Sequence, residues 1–257
     1  MVEINQKISH WSWPTTFPSL LPDMVHVWRA SLEVTPDQID HYRQLLSADE
    51  LARAQRFVFD RHRHRFIVAR GTLRLLLGNY LNVPERDIVF GYSTHGKPYL
   101  SQPVNLADLR FNLSHAHELA VYAFTHRCRI GVDVEYQRPL RDLAQLAATV
   151  FSPRELAVFE ALPAHQQQTA FYACWTRKEA FIKAIGDGLS YPLDGFDVSL
   201  APGEPAQLLQ IRGEPNGHHY WTMNSFVPAE AYNGATVVEN VNTELTCLQF
   251  AFNPQWR

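Results

Sequence analysis

The segment IGVDVE, at residues 130–135, places two carboxylates one residue apart. Side chains alternate between the two faces of a β-strand, so Asp133 and Glu135 project from one face while aliphatic side chains project from the other. Neighbouring carboxylates repel each other unless a cation lies between them, and carboxylate oxygens are ligands that suit magnesium or manganese. The polar outer face of a half-exposed strand is the structural alternative, and this segment alone leaves both interpretations open.

Charged side chains also stand inside the otherwise apolar segment at residues 171–185. Its aromatic and aliphatic residues cover almost every face of a helix, which predicts that the helix is largely buried. Lys178, Glu179 and Lys183 would then be buried charges, which are costly unless they are paired or bind a metal. A surface salt bridge between Glu179 and Lys183, four residues apart, explains this pattern less well, so the segment favours a functional role.

Two shorter segments offer groups that can bind anions. Residues 110–117 place Ser114 and His115 at the end of a predicted strand, where they can contact a phosphate or a ribose; a turn with capping hydroxyls is the alternative. Lys97 lies in a turn between glycine and proline, and can present its ammonium group to a phosphate. A zinc site at His115 and His117 is disfavoured because no third ligand is suitably spaced nearby.

Composition is that of an ordinary globular protein. The chain has 257 residues, 46% of them apolar and 19% charged, and a formal net charge of −3. This balance gives no reason to expect a nucleic-acid or membrane partner. Arginine is nevertheless concentrated between residues 53 and 74, where seven arginines, Arg65 among them, form either an anion-binding surface or a solvated helix face.

Three cysteines stand far apart without a CxxC pair, which indicates neither a zinc ribbon nor a disulfide framework. The sequence shows no signal peptide and no apolar run long enough to span a membrane. A reducing cytoplasm is therefore the expected location.

The order of the predicted elements favours an α+β fold. A strand at residues 24–32 precedes helices that start near residues 35 and 47, followed by a helix over residues 66–81 and several short strands. The strongest helix covers residues 170–185, and strands and turns fill the remainder. We expect two similar α+β halves, residues 1–129 and residues 130–257, each with a long helix followed by strands.

Four motifs appear in a fixed order: GKPYL at residues 96–100, FNLSHA at 111–116, GVDVE at 131–135, and the run from Trp175 to Leu189. Together they resemble the Sfp-type 4'-phosphopantetheinyl transferases, whose motifs read GKPxL, FNxSHA, GxDxE and WxxKEAxxKAxGxGL. The resemblance extends over roughly residues 24 to 200. It implies a pseudo-twofold pair of α+β halves with the active site in the cleft between them.

The activity implied by the resemblance is transfer of 4'-phosphopantetheine from coenzyme A to a serine of an apo acyl or peptidyl carrier protein, with release of adenosine 3',5'-bisphosphate. The expected partners are coenzyme A and the carrier protein, and the expected state is a monomer. Asp133, Glu135 and Glu179 would hold magnesium, with manganese possible. Lys183 would act on the leaving phosphate, and Glu155 would lie near the pantetheine arm. Either Glu179 or a metal-bound water would serve as the base.

The coenzyme contacts that the resemblance implies are Arg65, Lys97, Ser114, His115, Lys178 and Lys183. Residues 136–150 follow the acidic strand, and their leucines, including Leu143 and Leu146, form either a carrier-protein surface or a plain core helix. A magnesium-dependent phosphohydrolase is the alternative enzyme. A non-catalytic module that binds coenzyme A or a carrier protein is disfavoured, because an inactive relative is expected to have lost a metal ligand or Lys183.

Overall fold

A computed structural model describes residues 10–101, 108–186, 188–240 and 243–252. The α-helices are α1 (Pro36–Leu45), α2 (Ala48–Gln55), α3 (Asp60–Leu81), α4 (Leu143–Val150), α5 (Pro153–Ala161) and α6 (Ala164–Ile185). The strands are β1 (Met24–Ser31), β2 (Phe90–Tyr92), β3 (Pro98–Leu100), β4 (Leu109–Ala116), β5 (Leu119–His126), β6 (Ile130–Tyr136), β7 (Phe196–Val198), β8 (Leu208–Ile211), β9 (Thr222–Phe226), β10 (Tyr232–Val238) and β11 (Glu244–Gln249). Among the described residues, no helix is long and apolar enough to cross a membrane.

The strands form two main sheets and two hairpins. One sheet has the order β11-β1-β5-β4, with β11 parallel to β1 and the other pairs antiparallel. The second sheet has the order β6-β10-β9 and is antiparallel throughout. Strands β2 and β3 pair with each other, as do β7 and β8. This mixture of helices and largely antiparallel sheets confirms the predicted α+β class.

Local capping explains where several helices start. Thr35 and Ser152 each accept a hydrogen bond from the backbone N–H three residues later, and a glutamine or glutamate at that position bonds back to the cap. The predicted starts near residues 35 and 47 are confirmed by α1, which begins at Pro36, and by α2, which begins at Ala48. Helices α3 and α6 each begin six residues earlier than predicted, at Asp60 and Ala164, because their first turns are polar and show no apolar periodicity.

Each long helix covers one sheet. Helix α3 shares a buried core with β1, β4 and β5, and helix α6 shares another with β7, β9 and β10. A third buried cluster, containing Val27, Val121, Val132 and Val238, joins the sheets to each other. A shared core of this kind fixes the position of α6 and β6 relative to α3 and β4.

The closest approach in this framework lies at Gly131 on β6. A Cβ atom there would stand 2.0 Å from the carbonyl oxygen of Ala180 and 2.4 Å from the backbone nitrogen of Ala184. Only glycine allows the strand to lie this close to helix α6. The acidic side chains of β6 are consequently brought beside the acidic side chain of α6.

The last described strand, β11, belongs to the sheet of the first half. Strand β11 pairs in parallel with β1, so a segment from the predicted second half completes the sheet of the first. Leu248 and Phe250 belong to the core that surrounds α3. The domain boundary between residues 129 and 130 stays a prediction, but this final strand lies outside such a simple division.

Part of the arginine cluster is structural. Glu50 is buried and accepts hydrogen bonds from Arg70 and Arg74, the latter at 2.7 Å. Burial acts to raise the pKa of Glu50, but the hydrogen bond from Arg74 and the charge of Arg70 outweigh it and hold the pKa below its ordinary value. Arg74 also donates to the carbonyl oxygens of Glu85 and Ile88, so it fastens α3 to the segment that follows it.

We predict that Glu50→Ala lowers the free energy of unfolding by about 3–5 kcal/mol, because it leaves buried arginines unpaired. The control Asp40→Ala removes an exposed pair with Arg43 and should cost less than about 1 kcal/mol. Because the folded-state pKa of Glu50 is lowered, its stabilisation is present above the ordinary glutamate pKa and is lost as the pH falls through the folded value. Urea unfolding at neutral and acidic pH measures both effects, and equal losses in the two variants would contradict the assignment.

Candidate active site

A cavity of about 530 Å³ lies between the two halves. Side chains of α2, α3, β4 and the β2–β3 hairpin form one wall, and side chains of β6 and α6 form the other. Its lining includes Arg53, Phe66, Arg70, Tyr92, Ser114, His115, Asp133, Glu135, Trp175, Glu179 and Lys183. One wall thus carries arginines, while the opposite wall carries three carboxylates and a lysine.

The three carboxylates come from two elements. Asp133 and Glu135 share a face of β6, as the strand alternation predicted, and Glu179 faces them from α6. Asp133 is only 3% exposed. Its Oδ2 atom and the Oε1 atom of Glu179 are buried without a hydrogen-bond partner, whereas Glu135 accepts a hydrogen bond of 2.9 Å from the indole of Trp175.

Burial and mutual repulsion both change the pKa values of carboxyl groups on this wall. Removal from water raises the pKa of Glu179, the charges of Asp133 and Glu135 raise it further, and Lys183 only partly opposes them. The pKa of Glu135 is raised for the same reasons, burial first and Asp133 second, against a hydrogen bond from Trp175. The acidic wall therefore lacks enough positive charge to balance it.

Lys183 is the cation in direct contact with this wall. Its Nζ atom donates to Asp133 Oδ1 at 2.6 Å and to Ser114 Oγ at 2.8 Å, and Ser114 Oγ donates to the same aspartate oxygen at 2.9 Å. The side chain of Lys183 remains 28% exposed. It is therefore held firmly at one end and still accessible to a ligand in the cavity.

The acidic side chains suit a divalent cation in their chemistry. Oxygen atoms of Asp133 and Glu179 are buried and unpartnered, and burial together with the neighbouring carboxylates raises the pKa values of Glu135 and Glu179. Such oxygen donors are those that magnesium and manganese prefer. Within the described ranges, however, no three histidine, cysteine, aspartate or glutamate side chains already form a group that could hold a metal ion.

Glu155 and Lys178 do not reach this cavity. They form a buried ion pair of 2.8 Å in which both side chains are essentially inaccessible to solvent. Lys178 also donates to the carbonyl oxygens of Leu193 and Phe196, and Glu155 accepts from the backbone N–H groups of Ser152 and Val198. In this structure the two side chains are bound to each other, and the expected phosphate contact at Lys178 and pantetheine contact at Glu155 stay predictions.

Two other expected coenzyme contacts are engaged elsewhere. The ammonium group of Lys97 donates to three backbone carbonyl oxygens on β6 and α6. Arg65 is not among the residues that line the cavity, and it pairs with Glu118 at 3.3 Å. His115 does line the cavity; withdrawal from water and the positive charges of Lys183, Arg65 and His62 lower its pKa.

Sequence reasoning had assigned no role to several side chains that complete the site. Asn112 is buried and its Oδ1 atom accepts from the backbone N–H of Val132 at 2.9 Å, joining β4 to β6 next to Asp133. Trp175 orients Glu135, and Arg70 extends from its pair with Glu50 into the cavity. The sequence offered a signal for each of them, because Asn112 lies in FNLSHA, Trp175 in WTRKEA and Arg70 in the arginine cluster.

Comparison with known proteins identifies the family. The chain is 45% identical over 190 residues to the 4'-phosphopantetheinyl transferase HetI of Nostoc, which covers 74% of this chain and 80% of the relative. This chain belongs to the 4'-phosphopantetheinyl transferase family. A model of the 4'-phosphopantetheinyl transferase superfamily matches residues 129–237, and a model of the N-terminal part of such a transferase matches residues 28–127.

Two further relatives of this transferase come from Bacillus subtilis. A 4'-phosphopantetheinyl transferase is 34% identical over 63% of this chain and 69% of its own length. The 4'-phosphopantetheinyl transferase Sfp is 29% identical over 65% of this chain and 72% of its own length. The family predicted from the four motifs is confirmed, and with it the class of enzyme.

The acidic wall of this transferase should be more stable when one charge is removed. We predict that Glu179→Gln raises the free energy of unfolding at pH 7, without added metal, by about 1 kcal/mol, while it impairs function. A carboxyl group with a raised folded-state pKa favours the folded state when protonated, so the wild type loses stability as the pH rises through that value.

The advantage of Glu179→Gln should therefore shrink as the pH falls. Glu160→Gln, an exposed glutamate on α5, is the matched control and should leave stability unchanged. Chemical unfolding curves at several pH values measure the difference. A destabilised Glu179→Gln variant would show that the carboxylate is already well paired.

Proposed function

We propose that this chain transfers the 4'-phosphopantetheine group of coenzyme A to a serine of an apo carrier protein, in a reaction that needs magnesium or manganese. The observation that carries the proposal is the convergence of three carboxylates and Lys183 on one wall of a cavity whose other wall carries arginines. Coenzyme A is a polyanion with a pyrophosphate at its centre. Arginines suit its phosphates directly, and carboxylates suit them through a bridging cation.

The reaction exchanges one phosphorus–oxygen bond for another. The serine oxygen of the carrier protein attacks the phosphorus that bears the pantetheine arm, and the bond from this phosphorus to the bridging pyrophosphate oxygen breaks. Adenosine 3',5'-bisphosphate leaves with the electron pair of that bond, and the serine proton passes to a base. Negative charge grows on the leaving phosphate, so a cation positioned there lowers the barrier.

Lys183 is suited to that position. Asp133 and Ser114 hold its ammonium group by short hydrogen bonds, and the partly exposed side chain can donate to a phosphate oxygen in the cavity. The preorganised ammonium needs little rearrangement as the charge develops. His115, beside it in the lining, is a further contact for the phosphates.

Asp133, Glu135 and Glu179 would hold the divalent cation, which would neutralise pyrophosphate oxygens when bound. Trp175 keeps the carboxylate of Glu135 turned toward the cavity by its indole N–H. Supporting hydrogen bonds of this kind orient metal ligands and affect metal affinity. We further propose that the enzyme acts as a monomer, because one chain supplies both walls of the cavity.

A second cavity, of about 370 Å³, adjoins the first and shares His115, Glu135 and Trp175 with it. Aromatic side chains, including Tyr136 and Tyr172, line its far side. An elongated, weakly polar group that leaves the pyrophosphate would lie against these rings. We therefore place the pantetheine arm of coenzyme A along this second cavity.

Intact-protein mass spectrometry tests the proposed transfer. An apo carrier protein incubated with the enzyme, coenzyme A and magnesium should gain the mass of one phosphopantetheine group. Glu179→Gln should slow the gain by at least about a hundredfold because one of the three carboxylates that would hold the divalent cation is lost. Glu160→Gln should be unaffected. Release of phosphate from a nucleotide or pyrophosphate without any gain by the carrier would instead favour the phosphohydrolase.

Solvent exposure distinguishes the leucines of residues 136–150, the segment for which a carrier-protein surface was one of two predictions. Leu140 and Leu143 pack against the core around α6, whereas Leu146 on α4 is 40% exposed. We predict that Leu146→Asp raises KM for the carrier protein about tenfold and leaves the Kd for coenzyme A unchanged, because one exposed apolar contact is lost. Val158→Asp, an exposed valine on α5, is the matched control. Unchanged KM in Leu146→Asp would exclude this surface.

A further inference from the structure

We propose that Lys97 is a positioning residue, whose ammonium group holds the catalytic ammonium of Lys183 and the acidic strand β6 in register and does not contact the phosphates of coenzyme A. The inference rests on the proposed function, since it assumes that Lys183 acts on the leaving phosphate. It gives the lysine of the GKP motif a structural role in place of the coenzyme contact that the family resemblance implies.

All the donors of the Lys97 ammonium are used within the protein. Nζ donates to the carbonyl oxygen of Ile130 at 3.0 Å, to that of Ala184 at 3.2 Å, and to that of Lys183. An ammonium group has three N–H donors and no acceptor, so these three bonds saturate it. A phosphate could bind Lys97 only by displacing one of these carbonyl groups.

The carbonyl groups belong to the two elements that build the acidic wall. Lys183 and Ala184 lie in the last turn of α6, where carbonyl groups have no partner within the helix and carry the negative end of its dipole. Ile130 opens β6, three residues before Asp133. One ammonium therefore ties the end of the helix that bears Lys183 to the start of the strand that bears Asp133.

Hydrogen bonds also hold the backbone of the turn that carries Lys97. The backbone N–H of Ser93 donates to the carbonyl of Lys97 at 2.9 Å, and the backbone N–H of Lys97 donates to Ser93 Oγ at 3.1 Å. Gly96 has a φ of 79°, a left-handed conformation that glycine adopts without strain. The lysine stem passes Gly186, where an added Cβ would stand 3.7 Å from Lys97 Cδ.

A second side chain from the same half fastens β6 on the other side of Gly131. Asn112 accepts the backbone N–H of Val132, so the first half holds β6 by its carbonyl at Ile130 and its N–H at Val132. The hydrogen bond of 2.6 Å between Lys183 and Asp133 spans the two elements that Lys97 joins. Loss of Lys97 should therefore shift Lys183 relative to the acidic strand.

Kinetics separate a positioning role from a coenzyme contact. Lys97→Met should lower kcat for carrier modification by about ten- to a hundredfold, because small displacements of a positioned group are costly, while the Kd for coenzyme A changes less than about threefold. Lys97→Arg should not restore kcat, because a planar guanidinium cannot reproduce donation to three convergent carbonyl groups. Arg110→Met is the control: its exposed guanidinium pairs with Asp108, and kcat should be unchanged.

A rise of tenfold or more in the Kd for coenzyme A with kcat preserved, or recovery of kcat and Kd in Lys97→Arg, would overturn the proposal. Amide hydrogen exchange supplies a test that does not depend on catalysis. In Lys97→Met the amides of the last turn of α6, residues 183–186, should exchange at least about tenfold faster, while those at the end of α3 should not change. Unchanged exchange at residues 183–186 would also overturn it.

The outcomes distinguish this inference from the proposed function. If the wild type modifies no carrier protein, the proposed function fails, and hydrogen exchange still decides whether Lys97 holds α6 to β6. If Lys97→Met does not fold, as judged by circular dichroism, Lys97→Gln takes its place, because an amide can still donate to one or two of the carbonyl groups. A folded Lys97→Gln variant in which the Kd for coenzyme A rises tenfold or more while kcat is preserved would overturn the positioning role.

Discussion

The repulsion among three carboxylates that line one wall of the cavity is the constraint on which the site depends. Gly131 lets β6 lie against α6, and this approach places Asp133 and Glu135 opposite Glu179. Lys183 contacts only Asp133 among them. Burial first and the neighbouring carboxylates second raise the pKa values of Glu135 and Glu179, and oxygen atoms of Asp133 and Glu179 are buried without a hydrogen-bond partner. Such a wall is suited to a positively charged ligand or to a cation brought with an anionic substrate.

The rest of the fold holds a positively charged wall and an acidic wall on opposite sides of the same cavity. The arginines of α2 and α3 stand opposite the acidic wall, and Glu50 neutralises part of them inside the first half. The seam between β4 and β6 is joined by side chains, Asn112 and Ser114, which bond to the backbone and the carboxylate of β6. Residues that line the cavity and residues that join the strands thus occur in the same short motifs.

The sequence was sufficient for the fold class, the family and the acidic wall, because each depends on local patterns. Alternation along residues 130–135 predicts the shared face of Asp133 and Glu135, and Glu179 follows from charge in an apolar helix. The separation of Lys178 from Glu179 also has a local cause, since successive helical residues point about 100° apart. Lys178 consequently faces the buried Glu155, and Glu179 faces the cavity.

Other features depend on contacts between distant segments and could not be predicted from local patterns. Strand β11 pairs with β1 from the opposite end of the chain. The sequence predicts no partner within the protein for the turn residue Lys97. In the structure its ammonium group donates to carbonyl oxygens of residues that are distant in the sequence. Such tertiary contacts determine whether a motif residue meets the ligand or supports the residue that does.

The central claim, that the acidic wall binds the pyrophosphate through a divalent cation, is tested most directly by calorimetric titration of coenzyme A with and without magnesium. The expected result is that magnesium tightens coenzyme A binding by about tenfold or more, and that Asp133→Asn abolishes this coupling. Equal coenzyme A affinity with and without magnesium in the wild type would contradict the claim. The three carboxylates would then need another explanation.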